Sequence, residues 1–402
     1  MIGAGEAFFA AYALSQGLGE VLAGFVVGLP IMMGATLQTA TPYLFFQWPR
    51  PKRWVMITAT LQAVMLLALM ATTLAKEPVS PVLIFVLIGL YWAFSYSSSS
   101  VWNYWMGFLV PEAERPKFFA WRGQLMQIGV IAGLAVGGVF LHVLDNRDLG
   151  VRAYAMPFLI AFLARCLAVY LMGGQSQVEY QEQVKPRVGA WGALIGGLDL
   201  LRGFGFLREA WRVFQENAQA RKDLTFLFLF NCAIFISSSF VTPFLLAKLK
   251  FGYMSFMASQ MALFVGKIIA LLFAAKLIEK WGVRRVMFIG ALGMSPLPAF
   301  WFFVERTISA VALQGISGFF WGLFEVAVTL VLFSELPRQN KIQLLTWNSF
   351  FQAIAILLGT LVGGQILAMY DEMIYGYLVI FILGAMTRTL LVLAHRPSPQ
   401  GT

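Results

Sequence analysis

The stretch Pro111–Gly138, PEAERPKFFAWRGQLMQIGVIAGLAVGG, decides the fold, because the chain carries it twice. The second copy is Pro337–Gly364, PRQNKIQLLTWNSFFQAIAILLGTLVGG, at a constant offset of 226 residues. Pro111 matches Pro337, Arg115 matches Lys341, and Trp121 matches Trp347. Gly133, Gly137 and Gly138 match Gly359, Gly363 and Gly364. The copying extends outward on both sides. Gly89-Leu-Tyr-Trp92 corresponds to Gly318-Phe-Phe-Trp321, and Arg165-Cys-Leu-Ala-Val169 to Arg388-Thr-Leu-Leu-Val392. The repeated unit is therefore about half of the chain.

Composition says what solvent the two copies fold in. Of 402 residues, 59% are hydrophobic and 12% charged, with a mean hydropathy of +0.76. Soluble domains carry about 25% charged residues. Half that supply, beside 37 Phe and 12 Trp, cannot clothe a globule in water, so the chain belongs in a bilayer. Apolar runs near spanning length are expected at 2–15, 21–46, 54–75, 82–109, 119–143 and 153–173. Six more follow at 223–247, 254–278, 284–304, 308–334, 343–369 and 374–394. The expected organisation is an N-terminal six-helix bundle, 1–173, a linker, 174–222, and a C-terminal six-helix bundle, 223–402. Residues 2–15 would rise only about 22 Å as a helix, against roughly 30 Å of hydrocarbon. The first helix is expected at half length, as though Met1 lay inside it; a re-entrant segment is the alternative.

Lys and Arg set the orientation. Twenty fall in the breaks after helices 2, 4, 6, 8 and 10 and at the C-terminus, and six fall on the opposite side. The net charge of +10 is thus a topology signal, and the linker and C-terminus are expected to be cytoplasmic, in a multi-pass inner-membrane protein. A nucleic-acid partner would need a basic soluble face, which the sequence lacks. In the linker, Leu200, Phe204, Leu207, Trp211 and Phe214 recur at helical spacing with Arg202, Arg208 and Arg212 opposite. This pattern predicts an amphipathic helix on the inner leaflet, serving as a strap or a docking site.

Two same-sense six-helix halves fit the parallel-repeat transporter architecture, with the solute site at the interface near the midplane. A loop motif makes the resemblance specific. Ala275-Lys-Leu-Ile-Glu279-Lys280-Trp281-Gly282-Val283-Arg284-Arg285 resembles the cytoplasmic loop signature of the major facilitator superfamily, Gly-x-x-x-Asp-Arg-x-Gly-x-Arg-Arg. Gly282, Arg284 and Arg285 fit outright, whereas Ala275, Glu279 and Lys280 are replacements. In the first-half copy Gln47 stands where the acid belongs, with Lys52 and Arg53 remaining. The resemblance implies an all-α fold of twelve spans in two bundles. It also implies a gating loop formed by Glu279, Lys280, Gly282, Arg284 and Arg285, with Arg115 at the equivalent seam. Glu279 is expected to pair across that seam and to stabilise one access state.

Ionisable groups inside spans cost roughly 2.5–3.5 kcal/mol on insertion scales and mark function by default. Glu325 precedes Pro337, and Lys267 precedes Glu279, by equal intervals, so both lie roughly 18 Å from the same membrane face. Helices 8 and 10 are neighbours in the superfamily, and a Glu325–Lys267 pair near the midplane is expected, either coupling a proton to access or serving as a fixed structural pair. Glu6 lies in the helix that lines the cavity in that family, where it could hold a cation or a proton. Arg165 and Arg388 are expected to snorkel from peripheral helices toward the loops. Trp92, Ser95, Ser99 and Trp102 share one face of helix 4, and aromatics with hydroxyls suit a sugar or an organic cation. Asn231 in helix 7 and Asn348 and Gln352 in helix 11 add polar groups.

Gly129-x-x-x-Gly133-Leu-Ala-Val-Gly137-Gly138 also resembles the helix 5 motif of drug–proton antiporters, with Leu134 in place of its proline. Because Gly359, Gly363 and Gly364 repeat the pattern in helix 11, helix packing explains both copies. Neither a metal cluster nor a catalytic set is written in the sequence. Cys166 and Cys232 sit in apolar runs, His142 and His395 lie far apart in the chain, and no Gly-Lys-Ser/Thr loop is present. The expectation is a monomeric, non-enzymatic secondary carrier without cofactor, moving a small organic solute by alternating access with protons as the coupling ion. Efflux of an amphipathic compound and uptake of a sugar-like solute both remain open. The rival is a membrane receptor or scaffold that keeps a carrier fold without flux.

Overall fold

The structure, a computed structural model, describes residues 1–38, 40–41, 45, 50–77, 79–111, 114–145, 147, 149–177, 218–335 and 341–395. The expected linker helix, Gln47, and the side chains of Arg115 and Asn348 lie outside the described residues. Among the described residues, twelve principal helices follow in chain order. In the first half they are α1 (Phe9–Ser15), α2 (Gly19–Gln38), α3 (Pro51–Thr73), α4 (Pro81–Leu109), α5 (Arg115–Asp145) and α6 (Ala155–Gly173). The second half comprises α7 (Ala218–Ser238), α8 (Tyr253–Trp281), α9 (Val283–Met294), α10 (Thr307–Glu335), α11 (Lys341–Met369) and α12 (Ile374–Ala394). Eleven of the described segments are long and apolar enough to cross a bilayer. The first is not: a 3₁₀ turn, Glu6–Phe8, leads into the seven residues of α1.

Local chemistry sets several helix ends. Pro51 and Pro81 open α3 and α4, where a missing N–H costs nothing. Gly282 closes α8 at φ +80° and ψ 156°, backbone essentially restricted to glycine, and donates its N–H to the Ile278 carbonyl at 2.8 Å. The glycine of the loop motif thus has a conformational reason. Helix α7 breaks at Ser239–Phe240, and the chain resumes through Val241–Pro243 and a π turn, Phe244–Lys248.

The duplicated α5 and α11 start at the matched Arg115 and Lys341, and their matched glycines do matched work. A Cβ on Gly133 would sit 3.0 Å from the Ala4 nitrogen, and one on Gly359 would sit 2.2 Å from the Cys232 carbonyl oxygen. Gly137 and Gly363 likewise meet Phe8 and the Ile236 carbonyl. These positions seat α5 against the segment that leads into α1, and α11 against α7. Gly138 and Gly364 face the other half, Gly138 against Met257 of α8 and Gly364 against Phe25 of α2. Close backbone approach, rather than the antiporter motif, accounts for the pattern.

The halves meet along α2–α11 and α5–α8. Two ends can be distinguished: the linker end, at the linker and the α2–α3 and α8–α9 connections, and the far end. A single apolar core joins both halves at the far end, where Tyr12, Tyr154, Phe158, Phe240, Phe244 and Tyr377 pack together. At the linker end the core divides. One cluster, around Phe230, Met287 and Phe324, belongs to the second half, and another, around Val55, Val101 and Trp105, to the first. Outward-facing Val82, Tyr170, Leu272, Phe303, Ile308 and Leu390 are exposed, as expected of a lipid-facing belt.

Candidate functional site: a central ion pair, a cationic cavity and a far-end seal

Lys267 sits midway along α8, and Gly266 beside it lets α10 approach; a Cβ there would lie 2.2 Å from the Gly315 carbonyl oxygen. Gly318 of α10 answers with an equally close approach to Leu263, and Gly322 with a looser one to Ala270 and Lys267. This intimate crossing brings Lys267 Nζ to 2.9 Å from Glu325 Oε2. The Lys267 side chain is 14% exposed and that of Glu325 is 56% exposed, so the pair joins a buried ammonium to a carboxylate at the surface of the bundle. Lys267 also lies 5.5 Å from the centre of the Trp321 ring, at the outer limit of a cation–π contact.

Lys267 lines a cavity of about 280 Å³ enclosed by α7, α8, α10, α12 and the 3₁₀ turn after α9. Gln260, Gln314, Ser238, Trp301 and Trp321 share the lining, together with Arg388. Arg388 does not snorkel to the loops. It is 4% exposed and turns inward toward α7. Its Nε donates to the Ala233 carbonyl at 3.3 Å, and its Nη2 to the Ile234 carbonyl and Ser237 Oγ, both at 2.6 Å. Gly384, one turn earlier, permits that approach, since a Cβ there would lie 2.8 Å from Ser237 Oγ. The equivalent Arg165 is also half-buried and faces Ser98 Oγ at 3.5 Å.

The other sequence candidates scatter. The Tyr91 hydroxyl donates to Glu6 at 2.5 Å, fixing that carboxylate inside the first half, within electrostatic reach of Arg165. Trp92 packs edge-on to Tyr91 and tilted against Tyr96, with Gly34 of α2 beneath it. Ser95 is half-buried and Ser99 exposed. Trp102 lies under the Arg122 guanidinium at 4.1 Å. Asn231 donates to its own helix at Leu227, and Gln352 is half-buried. Glu279, Lys280 and Arg285 are exposed, and among the described residues Glu279 holds no ion pair. Arg284 of the same loop bonds Asp223 at 3.3 Å instead, and His395 Nε2 lies 3.1 Å from the other Asp223 oxygen while stacking on Phe226 at 4.3 Å. This tie among α7, α9 and the end of α12 was not anticipated, because Asp223 reads as an ordinary interfacial acid.

The far-end seal also escaped the sequence. Glu20 of α2 receives Lys248 Nζ at 2.7 Å on one oxygen and the Tyr377 hydroxyl at 2.6 Å on the other. Glu372 accepts the backbone N–H groups of Glu20 and Val21 at 3.2 and 3.1 Å, so one half caps a helix of the other. Tyr154 and Tyr253 bring their hydroxyls to 3.1 Å across the same boundary. Among the described residues, every hydrogen bond between the halves lies at the far end.

No protein-family model and no curated protein matches the chain. Solved structures do. The xylose transporter XylE from E. coli, in a partially occluded inward-open conformation, superposes with a TM-score of 0.69 at 14% identity, covering 100% of this chain and 96% of that one. The nucleoside transporter NupG gives 0.57 at 13%, covering 97% and 95%. A variant of the E. coli fucose:proton symporter FucP gives 0.55 at 14%, covering 99% and 98%. At such identities the likeness concerns architecture. The chain is a multi-pass, all-helical protein with the fold of the major facilitator superfamily transporters.

Proposed function

We propose that this protein is a secondary carrier that moves a small organic solute by alternating access and couples the movement to protons. The observation that carries the reading is the asymmetric join. A common core and a hydrogen-bonded seal close the far end, while the linker-end cores stand apart on either side of the boundary. With the linker end cytoplasmic, as the Lys and Arg distribution expects, this is an inward-facing state. The solved structures of similar fold include proton symporters of xylose and fucose.

In this reading the coupling step runs through Glu325, which takes up a proton while bonded to Lys267. Protonation removes its charge, weakens the pair and frees the ammonium to face the cavity that Lys267 lines. Access at the far end then requires parting of Glu20 from Lys248 and Tyr377. The gating role expected of Glu279 passes in this reading to the Glu20–Lys248 pair at the opposite end.

The test is uptake by proteoliposomes of a panel of sugars, nucleosides and organic acids under an imposed pH gradient. Wild-type protein is expected to accumulate at least one solute only with the gradient. Glu325→Gln is expected to retain exchange down a concentration gradient and to lose the response to pH. An unchanged response removes Glu325 from coupling, and absence of flux for the whole panel removes the carrier reading.

A further inference from the structure

Among the described residues, the cavity wall carries two cations, Lys267 and Arg388, and no carboxylate. A buried guanidinium without a counter-charge is costly, and buried charges are ordinarily paired. Among the described residues Arg388 is bonded only to neutral acceptors on α7, two carbonyls and the hydroxyls of Ser237 and Ser238. Its Nη1 has no acceptor among them and is not fully sealed, and Arg388 forms part of the cavity wall. Lys267 is held by Glu325 through a single oxygen at 2.9 Å, which leaves two ammonium N–H groups for another acceptor.

From these features we infer that the cavity binds the carboxylate of a small organic monoanion, between Arg388 and Lys267. The inference rests on the carrier reading of the same cavity and names its substrate class. Charge favours a monoanion: while Glu325 is charged, Lys267 and Arg388 leave one positive charge, which one carboxylate neutralises. Geometry selects a carboxylate, whose two oxygens suit an arginine edge and a lysine point charge. Size selects a small molecule, because about 280 Å³ lies at the lower edge of ordinary ligand pockets. The body of the solute meets Trp301, Trp321, Met294 and Leu313, while Gln260 and Gln314 present amides to any polar substituent. Glu325 and the solute then compete for Lys267. Protonating Glu325 hands the ammonium to the solute, which ties one proton to one anion inward.

The test is calorimetric titration of the full chain in nanodiscs with benzoate, phenylacetate and gluconate, against benzamide, phenylacetamide and glucose. At least one acid is expected to bind about tenfold or more tightly than its neutral counterpart. Lys267→Gln is expected to weaken that acid about tenfold, Arg388→Gln to weaken it further, and Arg388→Lys to recover part of the loss. Should Arg388→Gln fail to fold, Lys267→Gln and the acid–neutral comparison decide. Equal binding of acid and neutral partner, no binding of any acid at millimolar concentration, or unchanged binding by Lys267→Gln overturns the inference. Acid binding without flux overturns the carrier reading and leaves the site standing. Flux of a neutral solute without acid binding does the reverse.

Discussion

Replacing Glu20 by Gln tests the far-end seal most directly. The substitution keeps the shape of the side chain and one acceptor for the Tyr377 hydroxyl, but removes the charge facing Lys248 at 2.7 Å. A hydrogen bond between charged partners contributes about 1.5–3 kcal/mol. The side chains are 23% and 11% exposed, so a modest discount for solvent leaves about 1–2 kcal/mol. At 1.4 kcal/mol per factor of ten, the equilibrium shifts roughly 5- to 30-fold toward the far-open state. The assay is labelling of Thr242→Cys by an impermeant maleimide from the far side of the membrane, with Cys166 and Cys232 replaced by Ser. Thr242 lines the cavity and precedes Lys248 by six residues, so in the carrier reading its labelling rate follows the far-open population. Lys248→Gln is expected to match Glu20→Gln, and the double variant to add little to either. Rates within twofold of wild type in both single variants, or fully additive effects in the double, would refute the reasoning.

Four other substitutions have outcomes set by the same packing and bonding. Glu372→Gln weakens the cap that one half places on α2 and should raise far-side labelling by a smaller factor, about 2- to 5-fold for about 0.5–1 kcal/mol. Gly359→Ala drives a Cβ to 2.2 Å from a backbone oxygen of α7, and should cost about 1–3 kcal/mol in thermal unfolding. Gly123→Ala on α5 meets nothing within 4 Å and should leave the midpoint unchanged. Asp223→Asn loosens Arg284 and His395 from α7, and should lower stability by about 1–3 kcal/mol without altering far-side labelling.

What the sequence made legible was whatever depends on depth and on copying. Glu325 and Lys267 could be paired because each lies the same interval before a recognisable helix end, and a helix converts residue count into depth. The duplicated glycines could be read as packing sites because two copies seldom share a ligand role. The inward turn of Arg388 was missed because snorkelling and burial look alike in one dimension. The deciding feature is Gly384, where a Cβ would crowd Ser237, one of the partners of Arg388. Glu20, Lys248, Tyr377 and Glu372 were missed for a different reason. They come from three widely separated stretches, and each alone is an ordinary residue at a membrane boundary.

The adjacent pairs Gly137-Gly138 and Gly363-Gly364 have a mechanical consequence. Neighbouring positions on a helix point about 100° apart, so each pair serves two partners at once. On the inner side, at Gly363, main chain rests on main chain, a contact with no compliance. On the outer side, at Gly138 and Gly364, a thioether and a phenyl ring lie on bare glycine, a contact that can slip with little resistance. Helix α11 is therefore arranged like a journal in a bearing, fixed to one body and smooth toward the other, while in α5 a ring, Phe8, takes the place of main chain at Gly137. Gene duplication then delivered the pivot already paired.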